Sequence, residues 1–395
     1  MKTIIILSHV GFDNSPYCNY VHWHARELVK QGYNVVVFAI IPWLPVISHF
    51  QKRKKVFMKR LKEEDKVQTV DGVKIIYLRA WSFSNILYNS SININGICYY
   101  HKIKKEFDRI YEKEDVVMID AHTFKTEGYA AYRLKKKYPN VFTTVTLHGT
   151  SFVRNINNKN GKKMIKKIFQ RVDMAICVSP KLKKMLSQLE VNNSKIIYNG
   201  INKYDIPKNE KERDVTIITV GNLIKQKNID LVIKTFKEIN EKTNQHKMIV
   251  IGKGYEENNL KSLVKELNLE KSIEFMGRIP NIEVYKLMQR SKIFILPSVN
   301  EGFGIVYIEA MLNGCITIGT KNEGIDGLII DGENGFLVYP ELDSIKKKVI
   351  YILENENQLN SVIENGKEKA SMLTWENNAK KYIMLLNNYK EGIHG

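Results

Sequence analysis

The sequence predicts an α/β protein made of two doubly wound, parallel-sheet domains. Short apolar runs alternate with longer stretches whose apolar residues recur at helical spacing, the order expected of repeated βαβ units. This alternation lapses in a polar, charged segment at residues 206–213 and then starts afresh. A chain of 395 residues also exceeds one ordinary core and suits two.

In the first half, Thr3 to Ser8 reads as a buried opening strand. Its apolar run is too short for a secretory leader, and Asp13 and Asn14 follow closely. In the loop that comes next, Gly11 would let backbone approach a ligand closely, although a plain tight turn fits equally well. A helix from Tyr20 to Gln31 stops at Gly32, and Tyr33 to Ile40 supplies the second strand. Val116 to Ile119 forms another strand, running into Asp120-Ala121-His122, with a helix from Glu127 to Lys137 behind it. Phe142 to Leu147 ends at His148-Gly149-Thr150-Ser151, so His148 lies at a strand's carboxyl end, where open α/β sheets hold ligands. Ala175 to Val178 is followed by Ser179-Pro180, a cap and first-turn proline, and Lys195 to Tyr198 runs into the Asn199-Gly200 turn. Residues 1–205 thus make a first domain.

Residues 214–373 make the second. Val215 to Val220 is a strand, Gly221 to Asn228 a glycine-containing loop with Asn222 and Lys227, and Ile229 to Asn240 a helix. Met248 to Ile251 ends at Gly252-Lys253-Gly254, and Ile273 to Phe275 ends near Gly277-Arg278. The buried run Ile293 to Leu296 stops at Pro297, and a helix is expected whose first turn contains Gly302, Phe303, Gly304 and Ile305. Amides at a helix start lack intrahelical partners and lie at the positive end of the dipole, so that turn suits a phosphate without a metal. Glu301 lies just before the helix and Glu309 eight residues on, about two turns deeper, from where both reach one ligand. An ordinary strand-to-helix turn with two solvated glutamates fits the spacing as well. Residues 374–395 form a closing amphipathic helix with Trp375 as a packing anchor.

The net charge of +19 lies wholly in the first half. Residues 1–205 hold 35 basic and 16 acidic side chains, and the remainder holds 26 of each. Such asymmetry points to a polyanion facing the first domain, either nucleic acid or an anionic membrane, or to a solvated basic coat. Two lysine-rich segments, Gln51 to Lys66 and Lys162 to Arg171, interleave apolar residues; each alone fits a surface helix packing its apolar face on the core, while the pair, with the charge asymmetry, leans to interfacial helices on a membrane surface. No apolar run is long enough to span a bilayer, so a cytoplasmic protein, peripheral on the inner face of the membrane, is expected. Cys18, Cys98, Cys177 and Cys315 are too scattered for a zinc site or disulfide framework.

These residues resemble the retaining glycosyltransferases of family 4, which have the GT-B fold. The resemblance spans nearly the whole chain and is sharpest at Glu301 to Glu309, a Glu-x7-Glu pattern. Asp331 to Val338, Asn199 to Asn202, His148-Gly149 and the run Gly221 to Lys227 match weaker signatures. Asn322 to Asp326 resembles bacterial surface-polysaccharide enzymes of the teichuronic-acid or capsule type. The resemblance implies two facing Rossmann-like domains, the second binding a UDP- or GDP-linked sugar and the first a glycan or lipid-linked acceptor, with the last helix packing back across the linker. It implies that Glu309 binds the ribose and Glu301 the transferred sugar, and that the amides of Phe303, Gly304 and Ile305 hold sugar and diphosphate. Lys227 would neutralise the diphosphate, Gly277 and Arg278 would lie along the base, Gly11 would abut the diphosphate, and His148 would face the sugar. Asn222 stands where many members have Arg, Ser151 and Asn202 where many have Asp. Lys225 or Arg278 are candidates to replace the missing cation.

No cofactor and no metal are implied, and attack would come from the front face, the leaving diphosphate taking the acceptor's proton. The competing readings are a nucleotide-sugar epimerase or hydrolase of the same architecture and a basic nucleic-acid-binding module. Turnover without acceptor would mark the former, and salt-sensitive nucleic-acid binding the latter.

Overall fold

A computed structural model describes residues 1–8, 20–43, 67–81, 93–202, 213–241 and 245–394. Gly11, the basic segment Gln51 to Lys66 and most of the 206–213 linker lie outside them. The chain forms two compact units. One comprises residues 1–178, 182–200 and 375–395; the other comprises 179–181 and 201–374.

The first unit holds β1 (Lys2–Ser8), α1 (Tyr20–Lys30), β2 (Asn34–Trp43), β3 (Val67–Val70), β4 (Val73–Trp81), α2 (Ile94–Tyr111), β5 (Asp115–His122), α3 (Glu127–Lys137), β6 (Phe142–Leu147), α4 (Thr150–Ile156), α5 (Lys159–Phe169), β7 (Met174–Cys177), α6 (Pro180–Ser187) and β8 (Ser194–Ile196). Its eight strands lie in the order β3-β4-β2-β1-β5-β6-β7-β8. All neighbours are parallel except the β3–β4 hairpin. The turn of that hairpin is Asp71-Gly72, both at positive φ, the geometry that matches strand twist. Central strands of a parallel sheet are covered on both faces, which is why β1 and β2 read as unbroken Ile and Val runs.

In the second unit come β9 (Val215–Val220), a 3₁₀ turn Lys225–Lys227, α7 (Ile229–Asn240), β10 (Met248–Ile251), α8 (Glu257–Glu266), β11 (Ile273–Gly277), α9 (Asn281–Gln289), β12 (Ser291–Ile295), α10 (Ile305–Leu312), β13 (Ile316–Thr320), β14 (Phe336–Val338), α11 (Leu342–Glu354) and α12 (Asn360–Ser371). Six parallel strands lie in the order β11-β10-β9-β12-β13-β14. The order reverses between β9 and β12, the switch point outside which such sheets open a crevice. Helix α7 shows how sequence builds the layers: Ile229, Val232, Ile233 and Phe236 fall on one face and are all buried.

Helix α13 (Trp375–His394) belongs to the first unit. It lies on α1, with Ala379, Tyr382 and Leu386 in the same core cluster as Val21, Ala25 and Leu28. Tyr389 stacks near Phe142, and its hydroxyl accepts from Lys135 Nζ at 3.1 Å.

The apolar face of α5 turns inward. Ile165, Ile168 and Phe169 are at most 2% exposed. Of the two readings of this segment, core packing holds for its apolar stripe, and insertion of that stripe into a membrane does not; Lys162, Lys163 and Lys167 stay outside. Among the described residues no helix is long and apolar enough to cross a membrane.

Candidate active site

In the second unit the strand ends are laced together. Gly221 N–H donates to Ile251 O at 2.9 Å, Leu223 N–H to Lys253 O at 3.1 Å, and Gly252 N–H to Gly277 O at 2.8 Å. The loops carrying Asn222, Gly252 and Gly277-Arg278 therefore lie side by side, with Asn222 and Arg278 exposed. A side chain at Gly252 would meet Gly221 O at 1.8 Å, so this stacking requires glycine.

Helix α10 begins later than its sequence suggested. Asn300 and Gly304 sit at φ 56° and 83°, left-handed conformations that keep Glu301 to Gly304 out of the helix. Gly304 is also pressed on Tyr307, whose ring would be 2.5 Å from an added Cβ. Tyr307 is buried and donates to Leu296 O, tying the helix to the end of β12. The amides of Phe303 and Gly304 thus precede the helix, and that of Ile305 opens it.

Lys227 and Glu301 are brought together: Nζ is ion-paired with Oε2. Each is partly exposed, at 16% and 23%. The pairing is framed by backbone, since Val299 N–H donates to Gln226 O at 2.8 Å and Asn228 Nδ2 to Pro297 O at 2.8 Å. Glu301 N–H donates to Glu323 Oε2 at 2.9 Å. Glu309 has a different neighbour. Its Oε1 lies 3.2 Å from the Tyr285 hydroxyl, and burial pushes its carboxyl up to about 7, with that hydroxyl acting the other way. Tyr285, on α9, is a site residue that spacing could not supply.

In the first unit, His148 follows β6, and its Nε2 is 2.9 Å from His122 Nδ1. Tyr20, opening α1, lies over its ring at 3.9 Å between centroids. Behind His122 is a buried polar cluster. Asp120 Oδ2 is 2.9 Å from His122 Nε2 and 3.3 Å from His24 Nε2. Asp120 Oδ1 accepts from Thr144 and Thr146 at 2.7 and 3.3 Å. Burial alone would raise the Asp120 carboxyl, but His122 and His24 hold it far below the usual carboxylate range. His24 Nδ1 is 2.7 Å from Asn378 Oδ1, and Tyr382 OH is 2.7 Å from Thr146 Oγ1. Among the described residues, His24, Asp120 and His122 are the one group of metal-ligating types with donor atoms within 4.8 Å of one another. The spacings to Asp120 are those of ion pairs between side chains. The strand alternation placed Asp120 and His122 on one face of β5, but no local pattern announced His24, Asn378 or Tyr382.

Comparison with known proteins follows from this geometry. Residues 19–203 match "Glycosyltransferase Family 4", and residues 181–369 match "Glycosyl transferases group 1". An uncharacterized glycosyltransferase of Methanocaldococcus jannaschii is 32% identical over 71% of this chain and 78% of its own. A Campylobacter jejuni enzyme named N-acetylgalactosamine-N,N'-diacetylbacillosaminyl-diphospho-undecaprenol 4-alpha-N-acetylgalactosaminyltransferase is 29% identical over 53% of this chain and 59% of its own. Among solved structures, the Anabaena protein HepE in complex with UDP superposes with a TM-score of 0.70 at 16% identity, over 98% of this chain and 100% of its own.

Proposed function

Because the chain belongs to family 4 of the glycosyltransferases and has the GT-B fold, we propose that it is a retaining, metal-independent enzyme of cell-surface glycan synthesis. It moves a sugar from a nucleoside-diphosphate donor to a lipid-linked or glycan acceptor. UDP is favoured as the carrier because the Anabaena relative was solved with it. The acceptor follows the name of the Campylobacter relative, which includes diphospho-undecaprenol.

One observation carries the reading: Lys227 and Glu301 form an ion pair directly ahead of the turn that opens α10. An ammonium group held ahead of the positive end of a helix is a ready counter-charge for a diphosphate. In the reaction, the bond from the sugar's anomeric carbon to the diphosphate breaks while the acceptor oxygen bonds that carbon from the same face. The acceptor's proton passes to a diphosphate oxygen. Lys227 and the amides of Phe303, Gly304 and Ile305 oppose the charge that develops on the leaving group. Glu309, when ionised, accepts from the ribose hydroxyls, and Glu301 contacts the transferred sugar. Gly277 and Arg278 line the base, with Asn222 beside the diphosphate. His148 and Gly11, the latter outside the described residues, are proposed to serve the same donor, at the sugar and the diphosphate respectively.

In this reading the basic first half holds the enzyme peripherally on the cytoplasmic face of an anionic membrane, by charge rather than by insertion.

The test is a panel of nucleotide sugars, with released nucleoside diphosphate measured with and without a lipid-linked acceptor extract. Acceptor-dependent release that survives EDTA, with a product of unchanged anomeric configuration, is expected. Release indifferent to acceptor would favour a hydrolase, and loss on chelation with rescue by manganese would end metal independence.

A further inference from the structure

The first unit holds a carboxylate, three histidines in sequence of contact and two residues of the last helix in one connected network, buried up to the half-buried His148. Apart from His148, nothing in it has a part in the proposed reaction so far. Asp120 is fully buried, and His24 and His122 are 1% and 3% exposed. An uncompensated charge at such depth is costly, so the cluster is stable when one carboxylate balances one imidazolium.

The polar contacts of the rings, with ion pairs to Asp120 Oδ2 on one side, point to which ring carries that charge. Asn378 Nδ2 donates to Tyr198 O at 2.8 Å, which fixes the amide and turns its Oδ1 to His24 Nδ1 at 2.7 Å. An amide oxygen is only an acceptor, so His24 Nδ1 bears a proton. His24 Nε2 faces the Asp120 carboxylate at 3.3 Å and bears the other. His24 is then the imidazolium, and His122 is neutral. With Asp120 Oδ2 at 2.9 Å, the single proton of His122 sits on Nε2. Its Nδ1 is left as an acceptor toward His148 Nε2 at 2.9 Å. His148 must therefore donate from Nε2 and keep its lone pair on Nδ1.

We infer that Asp120, His24 and His122 are positioning residues that lock His148 in its Nε2–H tautomer, and that Asn378 extends this control to the C-terminal helix. A carboxylate that orients a histidine through hydrogen bonds fixes which nitrogen can act, without reacting itself. The strand register supports the assignment. Asp120 pairs with Thr144 across β5 and β6, and Thr144 and Thr146 occupy Oδ1, so Oδ2 is turned to the two rings. Thr146 is held in turn by the Tyr382 hydroxyl at 2.7 Å. The consequence for turnover rests on the placement of His148 at the transferred sugar proposed above, whereas the tautomer itself does not.

The experiment reads both separately. Long-range ¹H–¹⁵N spectra of histidine-labelled protein, with His148 assigned from His148→Ala, report which nitrogen carries the proton. A single Nε2–H form of His148 is expected in the wild type, and an Nδ1–H form or an averaged mixture would overturn the inference. In turnover, His122→Gln keeps an amide oxygen able to accept from His148 and should stay within a few-fold of wild type. His122→Leu fills the space without an acceptor and should lose about 10- to 100-fold in kcat, as loss of an orienting partner does elsewhere, with UDP affinity unchanged. Equal losses in the two variants would mean a purely structural role and sink the proposal. One tightly bound metal ion per chain, absent from His24→Ala, would also sink it by making the same three atoms ligands. If His148→Ala turned over normally while the wild-type spectrum showed the Nε2–H form, the placement of His148 at the sugar would fail and the tautomer lock would stand.

Discussion

The two units hold their working charges under opposite conditions. In the first, Asp120, His24 and His122 are buried in the core, Asp120 Oδ1 hydrogen-bonded to two threonines and Oδ2 within ion-pair distance of the two rings. In the second, Lys227 and Glu301 meet at partial exposure, over a frame made of backbone. A sealed network has few ways to rearrange and so fixes geometry. An exposed pair exchanges partners at little cost, because water replaces what is lost. On the proposed roles this is a division of labour, with one unit that orients and a second whose cation is placed to exchange its carboxylate for a ligand's phosphates.

The contrast breaks most sharply at Asp120. Asp120→Ala leaves His24 charged and unpaired in the core, and a loss of about 3–5 kcal/mol in unfolding free energy is expected in denaturant melts. A loss under 1 kcal/mol would show that the cluster is not a buried ion network. Lys227→Ala should behave in the reverse manner. Its stability should stay within about 0.5 kcal/mol of wild type, while kcat falls about 10²- to 10³-fold, the range for removing a group that stabilises developing negative charge. A wild-type kcat would remove Lys227 from the reaction.

Glu309 stands between these extremes. Its carboxyl is raised to about 7 from an ordinary 4.5, so its favourable contribution to stability is complete below about 4.5 and is lost as pH rises through about 7. Glu309→Gln should therefore be more stable than wild type at pH 8 by about 2–3 kcal/mol and no different at pH 4. If Glu309 accepts from the ribose as proposed, donor affinity should weaken in the wild type below pH 7 and be poor at every pH in the variant. A melting difference independent of pH would contradict the burial argument. The smallest effect is expected at the surface. Lys163→Glu with Lys167→Glu should weaken sedimentation with anionic vesicles by about 1 kcal/mol per lysine, and added salt should mimic it. Unchanged binding would end the electrostatic reading.

What was legible in the sequence was what is local. The Glu301 to Glu309 spacing, the strand-end glycines and the position of His148 all depend on neighbours a few residues away. The late start of α10 was less legible, because Asn300 and Gly304 announce a turn without saying that both adopt left-handed backbone. The fate of the α5 apolar stripe was also hidden, since an interfacial helix and a core-packed helix share one periodicity. The Asp120 network was illegible for a different reason. His24 and Asn378 are 354 residues apart, and no spacing rule reaches that far.

The closing helix carries a consequence for how the protein is made. The first unit's sheet leaves the ribosome early, but Asn378 and Tyr382 emerge only after the whole of the second unit. Until then, His24 and Thr146 lack their partners, and the α1 surface around Val21, Ala25 and Leu28 lacks its cover. The second unit is complete in sequence by Thr374. The expected order of birth is thus the reverse of the order of sequence: the later unit matures first, and the earlier one waits, open along one flank, for the last helix.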